Sequence, residues 1–245
     1  GNQPDGMNIN KDCGSMHPDH LCRKVQEHGA QLGIAHDGDA DRVLFCDETG
    51  TLIDGDDILA MAALELLAQG RLQENTLVAT VMSNAGLDAA INAAGGRVVR
   101  TLVGDRNVID EMLRNGYNFG GEQSGHIIFR DFSTTGDGLV CALQILQIMK
   151  AKQLPLSQLA RCWTRFPQVV TNIRVRHKKP FEQLDALMPM LAQAEADLKK
   201  DGGRVFLRYS GTEPKARLLL EGRDRAALQR WSHKIAEVIR HQVGA

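Results

Sequence analysis

The sequence LGIAHDGDADRVLFC, residues 32–46, consists of two short apolar runs with an acidic loop between them. Three aspartates, Asp37, Asp39 and Asp41, occupy alternate positions of this loop and are separated only by glycine and alanine. Carboxylates this close repel one another unless a cation lies among them, and oxygen ligands suit Mg²⁺ or Ca²⁺. Arg42 follows at once, where a guanidinium can contact an anionic substrate held at the metal. The stretch therefore predicts a divalent-cation loop, which we assign to Mg²⁺, between two strands.

A calcium loop of the EF-hand type is the nearest alternative. The three aspartates fill its first, third and fifth positions, and Glu48 falls at the twelfth. The sixth position of such a loop requires glycine, and Arg42 stands there. The flanking runs also have the composition of short buried strands, not of helices. A solvated acidic turn without a metal stays open on this segment alone.

The composition of the chain argues against nucleic-acid and membrane partners. The 245 residues carry 29 basic and 30 acidic side chains, a balance that argues against a nucleic-acid partner. No apolar run is long enough to span a membrane and no signal-peptide pattern is present, so no membrane partner is expected. Five cysteines without a C-x-x-C motif are typical of a reducing compartment, and we predict a cytoplasmic protein. The oligomeric state is not predicted.

The N-terminal region has two further features. Four soft metal ligands lie within ten residues: Cys13, His17, His20 and Cys22. Their spacing matches no common zinc pattern, and Pro18 favours a loop that leads into a helix ending at Gly29. The sequence starts at Gly1 without a methionine, and we expect it to belong to a longer protein.

Strands and helices alternate as far as residue 152, which predicts an α/β layer domain. Helices are predicted at residues 18–28, 54–69, 84–95, 105–115 and 138–152, and strands at residues 32–36, 42–46, 51–53, 77–82, 97–102, 117–121 and 127–130. After a short helix and a linker at residues 155–167, the pattern changes to strands at 168–176, 204–209 and 216–221 and helices at 180–200 and 224–242. Pro189 is expected to interrupt the first of these helices. This second part is predicted to be a separate α+β domain.

Three further motifs carry polar chemistry. Residues 122–126, Glu-Gln-Ser-Gly-His, follow a double glycine and suit sugar hydroxyls, although a polar turn between strands is the plain alternative. Residues 210–214, Ser-Gly-Thr-Glu-Pro, lie between Arg208 and Arg217 and offer hydroxyls, turn amides and two guanidinium groups to a phosphate. A hairpin turn is the alternative there. Residues 101–106 pass from a strand into a helix, whose N-terminus favours anions, a weak signal by itself.

Taken together, these segments resemble the α-D-phosphohexomutase superfamily. Residues 37–42 are similar to its metal loop, residues 122–126 to its sugar loop, and residues 208–217 to its C-terminal phosphate loop. The motifs occur in the family's order, and the resemblance covers essentially the whole chain. Within the superfamily, Val103-Gly104-Asp105-Arg106 and the glutamine after Glu122 favour the bacterial members that act on glucosamine phosphates.

The resemblance implies a fold and its boundaries. Residues 1–46 would be the end of the family's second domain, residues 47–162 its third domain and residues 166–245 its fourth. The implied fold class is α/β: one mixed-sheet, three-layer α/β domain and a small C-terminal α+β domain, preceded by the tail of another α/β domain.

The resemblance also implies residue roles. Asp37, Asp39 and Asp41 would hold Mg²⁺, and Arg42 would act at the reacting phosphate. A phosphosugar would contact Gly104, Asp105, Arg106, Glu122, Ser124, His126, Arg208, Ser210, Gly211, Thr212 and Arg217. The implied reaction interconverts glucosamine 6-phosphate and glucosamine 1-phosphate through a phosphoserine and a bisphosphate.

One departure limits what carries over. The family's phosphoserine lies in a Ser-His-Asn-Pro-like loop that these 245 residues do not contain. We therefore expect the chain alone to bind metal weakly and not to turn over. A mutase for glucose or mannose phosphate and a non-catalytic metal- or anion-binding module stay open. A haloacid-type phosphatase would leave residues 122–126 and 208–217 unexplained.

Overall fold

A computed structural model describes residues 5–244, which divide into two compact units. Among these, one unit consists of residues 5–83 and 87–164, and the other of residues 84–86 and 165–244. The predicted domain boundaries at residues 46, 162 and 166 stay predictions. In the described part of the chain, no helix is both long and apolar enough to cross a membrane.

The first unit begins with a small antiparallel sheet that carries the acidic loop. Its strands are β1 (Leu32–His36), β2 (Val43–Asp47) and β3 (Leu52–Ile53), in the order β1-β2-β3, and helix α1 (Asp19–His28) packs on it. His36 pairs with Val43, so the loop connects two adjacent strand ends. The acidic loop is therefore a tight connection within one hairpin, as the flanking apolar runs predict.

A larger mixed sheet forms the centre of the same unit. Its strands are β4 (Thr76–Thr80), β5 (Arg97–Thr101), β6 (Phe119–Gly121) and β7 (Ile127–Phe129), in the order β5-β4-β6-β7. The β4 strand is parallel to β5 and β6, whereas β6 and β7 form an antiparallel hairpin. The hairpin turn contains the Glu122–His126 motif.

Helices cover both faces of this sheet. They are α2 (Gly55–Ala68), α3 (Gly86–Ala93), α4 (Asp105–Asn115), α5 (Gly138–Lys152) and the short α6 (Leu156–Leu159). Alternate residues of β4 enter different cores: Leu77 packs in the cluster with α2 and α5, and Val78 packs with Val108 and Met112 of α4. Because side chains alternate along a strand, helices on both faces give a three-layer domain. The predicted fold class is confirmed.

The second unit is an antiparallel sheet with helices on one face. Its elements are β8 (Gln168–Arg174), α7 (Leu187–Lys199), β9 (Arg204–Tyr209), β10 (Lys215–Glu221) and α8 (Arg225–Val243), and the strand order is β8-β10-β9. Ile173, Ala216 and Leu218 pack against apolar residues of α7 and α8. The motif at residues 210–214 forms the β9–β10 turn.

One predicted helix differs in the structure. Residues 180–200 do not form a helix interrupted by Pro189, because α7 starts only at Leu187. Pro189 is then the third helical residue, where its missing N–H has no intrahelical partner to lose. The proline therefore lies in the first turn and does not break the helix.

Candidate metal and phosphosugar site

The acidic loop brings its three carboxylates together. One oxygen from each of Asp37, Asp39 and Asp41 lies within 4.8 Å of the others, and in the described part of the chain this is the one group of potential ligands that converges in this way. The predicted alternative, a cluster around Cys13 and His17, is not such a group. Ala40 adopts a left-handed conformation with φ of 59°, which turns the chain between the second and third aspartates.

Backbone hydrogen bonds fix the loop from three sides. Asp37 Oδ1 accepts from the amide of Arg42 at 3.1 Å, which closes the loop on itself. The amide of Gly138, at the start of α5, donates to the carbonyl of Ala40 at 2.8 Å. The amide of Val43 donates to the carbonyl of Gly125 at 3.1 Å, which joins the loop to the 122–126 turn. The carboxylates are therefore held on a rigid frame.

The electrostatics of the loop suit a cation. Burial and the neighbouring Asp37 raise the pKa of the Asp41 carboxyl above its usual range. The Arg42 Nε forms an ion pair with Asp37 Oδ2 at 3.9 Å, which is longer than a hydrogen bond and involves one of the three carboxylates. Three converging carboxylate oxygens whose repulsion is only partly offset fit a hard divalent ion. The residues present therefore fit Mg²⁺ in the role that the sequence predicts.

The 122–126 turn lies directly beside this loop. The amide of Glu122 donates to the carbonyl of His126 at 2.9 Å, and Gly125 takes a φ of 95° that closes the turn. The amide of Gly55, the first residue of α2, donates to Gln123 at 3.0 Å. A Cβ on Gly55 would collide with the carbonyl of Glu122, so glycine is required for this approach. Ser124 is exposed at the tip.

His126 is buried behind the acidic loop, whereas Ser124 of the same motif is exposed. Only 2% of His126 is exposed, and its ring packs against Gly136. Its Nε2 is 3.6 Å from Asp41 Oδ2, and its backbone pairs with Arg42. This position favours a role on the metal-loop carboxylate over direct contact with a sugar.

The 101–106 turn joins the same site through one bond. The amide of Gly104 donates to Glu122 Oε1 at 2.9 Å. Asp105 and Arg106 are exposed at the start of α4, and Arg106 faces Asp110 at 3.8 Å. The structure thus connects three predicted motifs, the acidic loop and the turns at 101–106 and 122–126, by direct hydrogen bonds.

The predicted phosphate loop lies in the second unit. Arg208 and Arg217 are direct cross-strand partners on β9 and β10. The amide of Ser210 donates to the carbonyl of Lys215 at 2.8 Å, and the amide of Glu213 donates to Ser210 Oγ at 3.3 Å. Gly211 has open space around the position of a Cβ. The turn is therefore shaped by its own backbone, with two guanidinium groups at its base.

Sequence reasoning missed two charged residues at this loop. Lys178 Nζ donates to the carbonyls of Ser210 and Gly211 at 2.5 and 3.2 Å, although it precedes the loop by more than thirty residues. Glu213, which the sequence motif places in the turn without a charge partner, pairs with Lys215 and Arg217. The available signal was the basic run at residues 174–179, which ends the neighbouring strand.

Comparison with known proteins matches two regions of the chain to domains of one protein family. Residues 54–166 match domain III, the alpha/beta/alpha domain, of phosphoglucomutase/phosphomannomutase, and residues 170–238 match the C-terminal domain of the same family. A phosphoglucosamine mutase of Geobacter sp. (strain M21) is 53% identical over 244 residues, and one of Citrifermentans bemidjiense is 52% identical. These matches cover 100% of this chain and 54% of each relative, so the chain spans about half their length.

Solved structures share the fold. A phosphoglucomutase/phosphomannomutase family protein from Burkholderia thailandensis has a TM-score of 0.71 at 21% identity, over 94% of this chain and 52% of that one. Aspergillus fumigatus N-acetylphosphoglucosamine mutase, in complex with GlcNAc-6P and magnesium, has a TM-score of 0.69 at 20% identity, over 95% of this chain and 53% of that one.

Proposed function

Since this chain belongs to the phosphoglucomutase/phosphomannomutase family, we propose that it forms the metal-, sugar- and phosphate-binding part of a phosphoglucosamine mutase. The whole enzyme would interconvert glucosamine 6-phosphate and glucosamine 1-phosphate through a phosphoserine and a bisphosphate. It would act in the cytoplasm and supply amino sugar for peptidoglycan precursors.

One observation carries the proposal. The loop with three converging carboxylates is hydrogen-bonded to the 122–126 turn through Val43 and Gly125. A phosphoryl transfer to a sugar needs a cation at the migrating group and hydrogen-bonding side chains at the sugar, a short distance apart. This unit supplies both on one frame.

The residues of the acidic loop would act at the reacting end. Asp37, Asp39 and Asp41 would hold Mg²⁺, which when bound offsets negative charge on a transferring phosphoryl group. Arg42, anchored at its amide by Asp37, places a second positive charge at the same end of the site. His126 packs behind Asp41 and would keep that carboxylate in position.

The two turns would orient the sugar. Glu122 Oε1 is occupied by the amide of Gly104, so the carboxylate is fixed, and its second oxygen can accept from a sugar hydroxyl. The exposed hydroxyl of Ser124 can donate or accept beside it. Asp105 and Arg106 stand at the start of α4, where exposed polar groups can reach a ligand.

The second unit would bind the phosphate that does not react. Arg208, Arg217 and the turn at residues 210–212 combine charge-assisted donors with backbone amides, which suits a phosphate monoester. A grip remote from the reaction would orient the substrate without taking part in the chemistry.

A chimeric enzyme tests the proposal. The part of the Geobacter sp. relative that this chain does not match would be joined to these 245 residues and assayed with glucosamine, glucose and mannose 6-phosphates. We expect turnover with glucosamine 6-phosphate above the other two, and an Asp39→Asn chimera to lose at least about 100-fold in kcat. Glu195→Gln, a charge change on the exposed side of α7 in the second unit, should have little effect.

Two results would overturn the proposal. One is a folded chimera that prefers glucose or mannose 6-phosphate, and the other is an Asp39→Asn chimera with full activity. If the chimera does not fold, saturation-transfer NMR of the 245-residue chain with glucosamine 1-phosphate and Mg²⁺ gives a second readout. Binding that is lost in Glu122→Gln supports the proposal, and no binding at all contradicts it.

A further inference from the structure

The sheet of the second unit carries an unusual set of charges on one face. Partner residues in antiparallel strands point to the same face, and residues two apart along a strand share it. Ala216 and Leu218 point to the helix side. Lys215 and Arg217 therefore point to the opposite face.

Positive charges meet across the strands on that face. Arg217 pairs directly with Arg208, and Lys215 pairs directly with Arg174. Like charges opposite one another destabilise a sheet, and these two rows contain four cations. Asn172, the partner of Arg217 on β8, is neutral. The strands themselves supply no acid in these rows, so the arrangement calls for an anion.

Glu213 supplies that anion from the turn. Its Oε1 accepts from Lys215 Nζ at 2.6 Å and its Oε2 from Arg217 Nη2 at 3.0 Å, so each carboxylate oxygen binds one cation. Hydrogen bonds and attraction from Lys215 and then from Arg217 hold the pKa of the Glu213 carboxyl below its usual range. The carboxylate is therefore charged at every pH at which a phosphate monoester is doubly charged.

We propose that Glu213 is an internal counter-ion which occupies Lys215 and Arg217 whenever no phosphate is bound and which an incoming phosphate must displace. The inference rests on the proposed function, in which this loop holds the non-reacting phosphate. In that reaction the bisphosphate has to turn round, so one phosphate leaves these cations and the other takes its place. Glu213 then keeps the cations paired during the exchange and weakens the grip on each phosphate.

Removing the charge of Glu213 should change phosphate affinity in the opposite direction from removing an ion pair that merely positions the cations. If Glu213 only positioned the two cations, removing its charge would weaken phosphate binding. If it competes for them, removing its charge strengthens binding and slows the exchange. The sign of the effect therefore separates the two roles.

The first experiment measures binding of inorganic phosphate to the 245-residue chain at pH 7.5 by titration calorimetry. Glu213→Gln should bind phosphate about three- to tenfold more tightly than the unchanged chain, because two surface ion pairs no longer compete. Glu195→Gln removes one negative charge from the exposed side of α7, on the helix side of the sheet, and is the matched control. It should change the affinity by less than about twofold.

The second experiment uses the chimeric enzyme, in which Glu213→Gln should lower both KM and kcat. Equal or weaker phosphate binding by Glu213→Gln overturns the inference, as does a chimera whose kcat and KM stay unchanged. Neither result touches the proposed function, which depends on substrate preference and on Asp39. A folded chimera without sugar-phosphate turnover overturns the proposed function, and the calorimetry still decides the competition by its sign.

Discussion

Replacing Asp41 by asparagine should stabilise the metal-free protein, although it removes a ligand. The three carboxylate oxygens of the acidic loop lie within 4.8 Å of one another. Two unit charges at that distance repel by about 0.9 kcal/mol in water, and Asp41 has two such neighbours. Salt and the partial exposure of the side chain reduce the relief to about 1 kcal/mol. Little is lost at His126, because its 3.6 Å separation is longer than a hydrogen bond.

Added Mg²⁺ should make the unchanged protein more stable than Asp41→Asn. The unchanged protein gains stability by binding the ion, about 1.4 kcal/mol when free Mg²⁺ is ten times Kd. Asp41→Asn should lose most of this gain because only two carboxylates remain. The variant is therefore expected to be the more stable protein without Mg²⁺ and to respond weakly when Mg²⁺ is added.

Urea unfolding followed by fluorescence measures both effects. Trp163 belongs to the first unit and Trp231 to the second, so a Trp231→Phe background lets Trp163 report the unit that contains the loop. Asp110→Asn, which removes a carboxylate paired with Arg106, is the control and should not be stabilised. The reasoning is refuted if Asp41→Asn lowers metal-free stability by more than about 0.5 kcal/mol, or if Mg²⁺ stabilises both proteins equally.

Two further predictions concern packing and pH. A Cβ at Gly136 would lie 2.6 and 2.7 Å from two ring carbons of buried His126 and closer still to Nε2, so Gly136→Ala should destabilise the first unit by about 1–3 kcal/mol. In Gly211→Ala the new Cβ meets nothing within 4 Å, so the free energy of unfolding should change by less than about 0.5 kcal/mol. Equal shifts of the urea midpoint from that of the unchanged protein in the two variants would contradict this prediction. Trp231 Nε1 donates to Asp197 Oδ2 at 2.9 Å, and this bond lowers the pKa of the Asp197 carboxyl. The stability that this bond gives the second unit is present above the pKa of the carboxyl in the unfolded chain and is lost as pH falls through its pKa in the folded protein. In melts followed by Trp231 fluorescence, the unchanged protein should therefore be more stable than Asp197→Asn at neutral pH and equally stable in acid. A stability difference that does not depend on pH would contradict this prediction.

Local signals predicted the regular elements well. Helix α5 starts at Gly138, where Asp137 accepts from the amides of Leu139 and Val140, and it ends at Lys152 as its apolar spacing predicts. Helix α4 likewise spans Asp105–Asn115 and is followed by Gly116 in the left-handed conformation. Caps and periodicity are local, so the sequence states them directly.

The convergence of the three aspartates was also local. Small spacers and alternate positions were enough to predict it, since the whole loop connects two paired strand ends. The sequence could not show that His126 is buried, because this depends on Gly136 and on the pairing of His126 with Arg42 far along the chain. It also could not show the contact of Lys178 with Ser210, because the two residues are far apart in the sequence and meet only through the strand order β8-β10-β9.

The central claim is that Asp37, Asp39 and Asp41 form one divalent-cation site beside the 122–126 turn. Paramagnetic Mn²⁺, added below one equivalent to the isotope-labelled chain, tests it by broadening nearby amide signals. The account predicts that the signals of residues 37–42 and of His126 broaden first, that Mg²⁺ restores them, and that Asp39→Asn prevents the effect. Broadening that is spread over unrelated surface acids, or that persists unchanged in Asp39→Asn, would contradict it.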